Sequence, residues 1–324
     1  MDTLFERRFP GTVDPQMQTC WTAQPAWGAA VGAVWGKDLA MMRLLFDEGR
    51  KFWNDGTPAL PRVVELRLPR PERNLPLRLY DPVGDGRPRP AMVFLHGGGY
   101  VVGTLDTHDV ICRELARASG KVVVNVDYAL APEFKFPFAI EETVALGRFL
   151  KALGGEWGID PDRVALGGDS AGATITMGAL LSQQESGERL YTGGWLVYGA
   201  YGNEDSESRR LYSGDAWGLT PAYRKFYREA YFAKPSDAED TRFDLLRANS
   251  LAGLPPIFLA PSELDPLRDD SFQLAERLSR EGVPVELKTY LGCYHGFLHM
   301  TKRLGKAREA VADCAAWMNR LFPA

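Results

Sequence analysis

Ser170 lies in a Gly-Asp-Ser-Ala-Gly sequence (residues 168–172), a Gly-x-Ser-x-Gly pattern in which a serine hydroxyl can act as a nucleophile. The pattern alone is weak, but here an apolar run precedes it (residues 164–166) and a helical stretch follows it (residues 171–177). The motif needs that context, because a sharp strand-to-helix turn exposes the hydroxyl at a helix N-terminus, where the dipole favours negative charge. The sequence therefore predicts a nucleophilic Ser170, and the alternative is a glycine-rich turn without chemistry.

A second glycine-rich segment, His-Gly-Gly-Gly-Tyr (residues 96–100), follows directly on the apolar run 91–95. Consecutive glycines let a loop bring backbone N–H groups close to a ligand, and acyl transfer needs such donors aimed at the developing oxyanion. We expect His96, Gly99 and Tyr100 to shape this oxyanion loop, with His96 as its anchor rather than as a catalyst. A plain glycine turn is the alternative.

The donors of the oxyanion hole are predicted from the same two motifs. We assign Gly97 and Gly98 as two donors, and the N–H of Ala171, the residue after the serine, as the third. All three groups would then face an ester carbonyl held above Ser170.

Asp265 is the candidate acid, because it follows the apolar run 257–260 in the sequence Asp-Pro-Leu. Aspartate followed by proline is also a good start for a helix, and one residue can both face a site and begin a helix. Asp269 and Asp270 are rival carboxylates. We expect them inside the next helix and solvated.

His295 is the candidate base, in a Gly-Cys-Tyr-His-Gly-Phe loop (residues 292–297) after the last predicted strand. Gly296 would allow the tight loop that turns the imidazole toward a serine. His108 falls in a predicted helix, and His299 begins or precedes the final one. His295 and His299 lack the glutamate of a His-Glu-x-x-His zinc motif, so we expect no metal site.

Ser170, Asp265 and His295 follow one another in the order serine, acid, histidine that Gly-x-Ser-x-Gly hydrolases use. His295 would take the serine proton as the hydroxyl attacks an ester, and Asp265 would orient the imidazole. This chemistry requires no cofactor and no metal, and the expected partner is a small-molecule ester.

The elements that must position these residues alternate between apolar runs and helical patterns, which predicts a mostly parallel sheet with helices on both faces. In such a sheet, functional residues gather at the carboxyl ends of the strands. The eight predicted strands comprise residues 63–68, 77–80, 91–95, 122–126, 163–166, 195–198, 257–260 and 285–290. The predicted helices comprise residues 37–54, 107–119, 138–153, 171–185, 268–281 and 302–321.

Two stretches do not fit the alternation, residues 1–60 and residues 202–254. The first holds four of the eight tryptophans, and the second has aromatic residues at helical spacing after Thr220. These residues are Trp21, Trp27, Trp35, Trp53, Tyr223, Phe226, Tyr227 and Tyr231. Core packing is one interpretation. The other is a helical cap made of residues 1–60 and the insert 202–254, over a catalytic domain of residues 61–324.

Composition limits the remaining possibilities. The chain has 324 residues with a formal net charge of −4 and no basic tail, which argues against nucleic acid as a partner. The sequence contains no run of about 18 apolar residues, which is the length that a membrane crossing needs, and its start lacks a secretory pattern. We therefore expect a cytoplasmic protein. An exposed edge strand would permit a homodimer. The four cysteines are Cys20, Cys112, Cys293 and Cys314. Their wide spacing predicts reduced, buried thiols, although a disulfide is not excluded.

Five motifs together resemble those of the hormone-sensitive-lipase-like esterases. They are His-Gly-Gly-Gly (96–99), Asp-Tyr-Ala-Leu-Ala-Pro-Glu (127–133), Gly-Asp-Ser-Ala-Gly (168–172), Asp-Pro-Leu (265–267) and His-Gly-Phe (295–297). The resemblance covers residues 62 to 324, and it implies an α/β-hydrolase fold with a Ser-His-Asp triad. The chain departs from the family where Ala129 replaces a frequent arginine and Ala173 a frequent glycine.

Three further sequences are similar to the bacterial acetyl esterase subgroup: Tyr-Gly-Ala-Tyr-Gly (198–202), Trp-Gly-Leu-Thr (217–220) and His-Gly-Phe-Leu-His (295–299). This resemblance implies a serine esterase that hydrolyses short-chain acyl esters such as acetyl esters. An amidase or peptidase on the same fold is the first alternative, since a triad does not choose between esters and amides. A non-catalytic receptor is the second, and the presence of His295 argues against it, because receptor relatives of this family have lost the histidine.

Overall fold

The computed structural model describes residues 9–23 and 34–323, together with Phe5 and Arg7. Trp27, one of the tryptophans expected in the cap, lies outside the described residues. The strands are β1 Arg62–Leu68, β2 Leu75–Asp81, β3 Arg89–Leu95, β4 Val122–Val126, β5 Ile159–Asp169, β6 Gly194–Val197, β7 Ile257–Ala260, β8 Ser262–Leu264, β9 Val285–Leu287 and β10 Tyr290–Tyr294. The α-helices are α1 Pro15–Thr22, α2 Leu39–Asn54, α3 Asp109–Ser119, α4 Phe138–Leu153, α5 Ala171–Ser186, α6 Glu207–Leu211, α7 Pro221–Tyr231, α8 Arg268–Arg280 and α9 Gly305–Leu321.

Eight of the strands form one sheet in the order β1-β2-β4-β3-β5-β6-β7-β9. The pairs β1–β2 and β2–β4 are antiparallel, and the pairs from β4 to β9 are parallel. The central strands β3, β4, β6 and β7 are almost wholly buried, as continuous apolar runs require, whereas β1 is half-exposed at one edge. The predicted fold class is confirmed, and each of the eight predicted strands overlaps a strand of this sheet.

The end of the sheet differs from the prediction. The expected strand 285–290 stops at Leu287, and the chain then forms a separate strand, β10, which pairs in parallel with the short strand β8. This two-stranded ribbon carries two site residues at its ends, because Asp265 directly follows β8 and His295 directly follows β10.

The hydrophobic core lies on both faces of the sheet. Val122 and Val124 pack on one side with residues of α4, α5 and α8, while Val123 packs on the other with residues of α3 and α9. Helix α5, which follows Ser170, is buried around most of its circumference. A buried helix and sheet therefore hold the nucleophile turn from both sides.

The N-terminal segment contains two described helices, of which the sequence predicted only α2. Asp14 caps α1 by accepting hydrogen bonds from two backbone N–H groups, and Pro15 occupies the first helical position. On α2, Arg43 donates to the carbonyl oxygens of Val101 and Ala131, both at 2.9 Å. These bonds fix α2 beside the segment that follows the oxyanion loop.

The insert begins a helix where the sequence predicted one. The hydroxyl oxygen of Thr220 accepts the N–H of Tyr223 at 3.2 Å, and Pro221 opens α7. Trp35 of the N-terminal segment packs against the Tyr223 ring at 4.3 Å and the Tyr227 ring at 5.2 Å. The two stretches that broke the strand–helix alternation therefore contact each other.

The four cysteines are free and buried, as expected. Among the described residues, no helix combines the length and the apolar composition that a membrane crossing needs.

Candidate active site

Ser170 occupies the turn between β5 and α5 in a strained backbone conformation, with φ 52° and ψ −118°. Its N–H donates to the carbonyl oxygen of Val197 at 2.8 Å, which fixes the turn to the neighbouring strand. A Cβ at Gly168 or Gly172 would overlap with the carbonyl oxygen of Leu95 on β3. The glycines of the motif are therefore required by the close approach of the turn to β3, as well as by its shape.

Ser170, His295 and Asp265 form a continuous chain of hydrogen-bonding distances. The Oγ of Ser170 lies 2.9 Å from Nε2 of His295, and Nδ1 of His295 lies 2.7 Å from Oδ2 of Asp265. Gly296, with φ 76°, adopts the left-handed conformation that turns the chain immediately after the histidine. The three residues that the sequence nominated for catalysis are thus brought together in the geometry of a serine, a base and an orienting acid.

The Asp265 side chain is fully buried, and its two oxygens have different partners. Oδ2 faces His295, while Oδ1 accepts the N–H of Leu267 at 2.8 Å. Helix α8 begins at Arg268, so Asp265 is not its N-cap but shapes the turn that leads into it. The carboxylate is therefore held in place from both ends.

Asp269 and Asp270 do lie in the first turn of α8, but the expectation that they are solvated is wrong, since both are buried. Asp270 accepts the N–H of Tyr201 at 2.7 Å, and burial raises its pKa to about 6. Asp269 accepts the N–H of Ser208 at 2.9 Å. The start of the insert folds over the start of α8, which helical periodicity could not indicate. Both carboxylates hold the insert in place.

The assignment of Gly97 as an oxyanion donor is wrong. Its N–H donates to Oδ1 of Asp169 at 2.8 Å and cannot point at a substrate at the same time. The N–H groups of Gly98, Gly99 and Ala171 have no acceptor in the described part of the chain, and all three residues line the same cavity as Ser170. The free donors are therefore one residue further along the loop than the sequence suggested.

Asp169, the variable residue of the serine motif, connects the nucleophile turn to the oxyanion loop. It is buried and lies 3.2 Å from both His108 Nε2 and the Tyr198 hydroxyl, besides accepting the Gly97 N–H. Burial alone would raise the pKa of Asp169, but His108, the charge of Arg50 and the Gly97 N–H lower it to about 2. The sequence analysis missed this role. Its only signal was a carboxylate inside an apolar turn, where a charge needs partners.

The rest of the oxyanion loop agrees with its expected structural role. His96 is fully buried, its Nδ1 lies 2.9 Å from the carbonyl oxygen of Gly97, and burial lowers its pKa to about 3. Gly99 has φ 60°, and a Cβ there would overlap with the ring of Tyr227. Tyr100 stacks on Tyr231 with ring centroids 3.8 Å apart. His96 is thus neutral and anchors the loop.

His299 lies in a short 3₁₀ turn, Phe297–Met300, just after the candidate base. Burial lowers its pKa well below the ordinary value, and its ring centroid lies 5.5 Å from that of Trp53. No cluster of metal-ligating side chains occurs among the described residues.

A cavity of about 910 Å³ opens above Ser170, which is a typical size for a small-molecule site. Trp35 and Arg50 from the N-terminal segment line it, as do Tyr223 and Tyr227 from the insert. The sequence analysis identified the aromatic rings as cap candidates but did not identify Arg50, because a single arginine on a helix is ordinarily solvated.

The chain is similar to known hydrolases in sequence and in fold. A family model described as alpha/beta hydrolase fold matches residues 92–299. The acetyl esterases of Salmonella paratyphi A (strain ATCC 9150 / SARB42) and Salmonella agona (strain SL483) are each 36% identical over 281 residues, covering 86% of this chain and 86% of the relative.

Solved structures of esterases are also similar to the chain. A hyperthermophilic esterase from the archaeon Pyrobaculum calidifontis has a TM-score of 0.88 with 31% identity, covering 96% of this chain and 99% of that one. A thermostable carboxylesterase cloned from a metagenomic library has a TM-score of 0.85 with 30% identity, covering 89% of this chain and 98% of its own.

Proposed function

The chain belongs to the α/β-hydrolase fold family and is a carboxylic ester hydrolase, and we propose that it cleaves short-chain acyl esters through an acyl-enzyme on Ser170. The observation that carries the mechanism is the hydrogen-bonded chain from Ser170 through His295 to the buried Asp265. The acyl preference rests on the acetyl esterases among its relatives.

In the first half of the reaction, the Oγ of Ser170 attacks the ester carbonyl carbon while Nε2 of His295 accepts the hydroxyl proton. The carbonyl π electrons move onto the oxygen, which becomes an oxyanion. When the tetrahedral intermediate collapses, the bond to the alcohol oxygen breaks, and His295 returns its proton to that oxygen. The products are the free alcohol and an acyl ester of Ser170.

In the second half, water takes the place of the alcohol. His295 removes a proton from the water as it attacks the acyl carbon, then gives the proton to Oγ as the bond to Ser170 breaks. Asp265 keeps the proton of the neutral imidazole on Nδ1, so that Nε2 remains free to accept. These steps use no metal and no cofactor.

The oxyanion of both intermediates is bound, in this proposal, by the N–H groups of Gly98, Gly99 and Ala171. Asp169 acts as a positioning residue, since its carboxylate holds Gly97 and thereby aims the next two N–H groups. The N-terminus of α5 adds a favourable dipole beneath the same oxygen.

We further assign residues 1–60 and the insert 202–254 to a cap over a catalytic domain of residues 61–324. The contact of Trp35 with Tyr223 and Tyr227, all of which line the cavity above Ser170, supports this division.

A fluorophosphonate probe tests the activated serine directly. We expect covalent labelling of the native chain and of the control Ser182→Ala, whose serine lies on the same helix α5 with its hydroxyl bonded to Gly178. We expect none for Ser170→Ala, because no activated hydroxyl remains. Equal labelling of Ser170→Ala, or no labelling of the native chain, would contradict the mechanism.

Hydrolysis rates test the reaction type. We expect 4-nitrophenyl acetate to be cleaved rapidly by the native chain and by Ser182→Ala, and not by Ser170→Ala. The matched amide, 4-nitroacetanilide, should be a far poorer substrate. A higher kcat/KM for the anilide would identify an amidase instead.

A further inference from the structure

Arg50 of α2 lines the same cavity as Ser170. Its Nε and Nη1 atoms are buried and have no hydrogen-bond acceptor among the described residues, and no described carboxylate forms an ion pair with it. The centroid of the Phe46 ring lies 4.8 Å from the guanidinium carbon. Buried guanidinium nitrogens are ordinarily hydrogen-bonded, so this side chain has an unfilled binding capacity.

The nearby charged groups do not neutralise Arg50. The carboxylate of Asp169 attracts Arg50 without an ion pair between them, and that side chain already has Gly97, His108 and Tyr198 as partners. Burial lowers the pKa of Arg50, yet a guanidinium remains charged in proteins. The cavity wall therefore contains a cation that no described carboxylate pairs with directly.

A second unpaired donor lies on the same wall. The indole Nε1 of Trp35 is buried without an acceptor among the described residues, and the Trp35 ring packs against Tyr227, which lines the same cavity as Arg50. Lysine and arginine side chains on the cavity wall outnumber aspartates and glutamates, although the chain as a whole is acidic.

We propose that Arg50 binds a carboxylate carried by the substrate, on either the acid part or the alcohol part of the ester. A carboxylate is the preferred partner of a guanidinium, through charge-assisted N–H···O bonds. The inference rests on the proposed esterase function and specifies its substrate class: short esters with an anionic group beyond the scissile bond.

Two matched substrate pairs test the proposal. For the acid part, 4-nitrophenyl hexanoate is compared with mono-4-nitrophenyl adipate. For the alcohol part, 4-acetoxyacetophenone is compared with 4-acetoxybenzoate. The quantity measured is the ratio of kcat/KM for the anionic ester to kcat/KM for its neutral partner. The proteins are the native chain, Arg50→Met and the control Lys51→Met, which removes a solvent-exposed cation from the same helix.

In at least one pair, we expect the ratio to fall about tenfold or more in Arg50→Met, because a charge-assisted hydrogen-bonded pair is lost. The fall should appear in KM for the anionic ester, while the neutral ester changes only a few-fold. Lys51→Met should leave both ratios at the native value. Unchanged ratios in both pairs, or an equal loss for neutral and anionic esters, would overturn the proposal.

Inhibition of the native chain gives a test that does not depend on a variant's folding. Benzoate should inhibit 4-nitrophenyl acetate hydrolysis competitively and more strongly than benzamide, and Arg50→Lys should reduce that difference by losing the planar fork. Benzoate no stronger than benzamide would overturn the proposal even if Arg50→Met were insoluble. Failure of the native chain to hydrolyse 4-nitrophenyl acetate would instead refute the proposed esterase function.

Discussion

The carboxylate of Asp265 divides its oxygens between His295 and the N–H of Leu267. An asparagine could keep the bond to Leu267 through its own oxygen, but it would then present an NH2 group to Nδ1. That would force the imidazole proton onto Nε2, where the proton of Ser170 must be received. Replacing one carboxylate oxygen by an NH2 group would thereby prevent His295 from acting as a base, although the ring itself would stay in place.

Asp265→Asn should therefore lower kcat by a factor on the order of 10⁴, as the loss of the acid does in other serine triads. The fold should be retained, because the substitution conserves shape. The measurement is kcat for 4-nitrophenyl acetate, together with a circular dichroism spectrum that shows an intact protein.

Asp269→Asn is the matched control, since Asp269 is a buried aspartate four residues away that bonds to Ser208 and not to His295. Its kcat should stay within a few-fold of the native value. If Asp269→Asn were the more damaging change, the assignment of Asp265 as the acid would be wrong.

At this scale, the sequence predicted the placement of residues that directly follow a strand, and it failed where the placement depends on a distant partner. Ser170, Asp265 and His295 each follow a strand, so the sheet topology alone brings them together. The donor role of Gly97 failed because Asp169, from another strand, takes its N–H. The single-residue shift to Gly99 depends on loop dihedral angles, which three identical glycines do not encode.

At the scale of elements, the loop that carries His295 is fastened to the N-terminal segment through one buried carboxylate. Glu263 on β8 accepts the N–H of Gly292 at 2.7 Å and the N–H of Gly11 at 2.6 Å. The N–H of Asp14 also donates to the carbonyl oxygen of Gly292, at 3.1 Å. The N-terminal segment therefore braces the strand that ends at His295.

Glu263→Gln should lower the free energy of unfolding by about 1–3 kcal/mol, because the new NH2 group would face a backbone N–H that has lost its acceptor. It should also lower kcat several-fold, since the His295 loop loses a brace. Urea unfolding and ester hydrolysis measure the two effects.

Glu286→Gln serves as the control for Glu263→Gln. Glu286 is exposed at the edge strand β9 and pairs with Arg320 at the surface. Glu286→Gln should change neither the free energy of unfolding nor kcat appreciably, because exposed ion pairs contribute little to stability. Equal effects of the two substitutions would show that the buried carboxylate does not act as a brace.

The turn Phe297–Met300 contains a histidine that should make the free energy of unfolding depend on pH. His299 is buried there, and burial lowers its pKa well below the ordinary imidazole value of about 6.5. The folded state thus favours the neutral ring, so the stability it contributes is complete above that value and is lost as the pH falls below it.

Between pH 7.5 and pH 5, this linkage should remove about 2 kcal/mol from the free energy of unfolding. His299→Gln should therefore lose about that much less stability than the native chain over the same interval. Urea unfolding of both proteins at the two pH values measures the difference, and His96 and His108 cancel because both proteins contain them. Equal losses in the two proteins would contradict a buried neutral His299.

At the scale of the whole molecule, the sheet was predictable because parallel strands covered on both faces are written as continuous apolar runs. The contact between the N-terminal segment and the insert was less predictable from the sequence. Trp35 meets Tyr223 across nearly 190 positions of chain, and no local pattern specifies that contact. The start of the insert packs over α8 and buries Asp270, and no local pattern specifies that contact either. The sequence left core and cap open for the aromatic residues. In the structure Tyr231 is buried in the core, whereas Tyr223 and Tyr227 line the cavity.

The walls of that cavity determine which acyl chains it accepts. One set of walls is aromatic and closely packed, with Tyr100 stacked on Tyr231 and Phe243 beside them. Another contains Arg50, against which an alkyl chain would bury an unpaired charge more deeply. We therefore expect long acyl chains to meet either closely packed rings or a cation.

We expect kcat/KM for 4-nitrophenyl esters to be highest at acetate to butyrate and to be much lower at decanoate. Each added methylene gains about 0.8 kcal/mol while apolar space remains, so the rate should rise for a step or two and then fall where the chain meets a wall. Acetate, butyrate, octanoate and decanoate are compared below their solubility limits. Arg50→Met should shift the optimum toward longer chains if the cation is one of the limits, and Lys51→Met should not. A maximum of kcat/KM at octanoate or beyond in the native protein would refute the short acyl pocket, because the cavity would then accommodate long acyl groups.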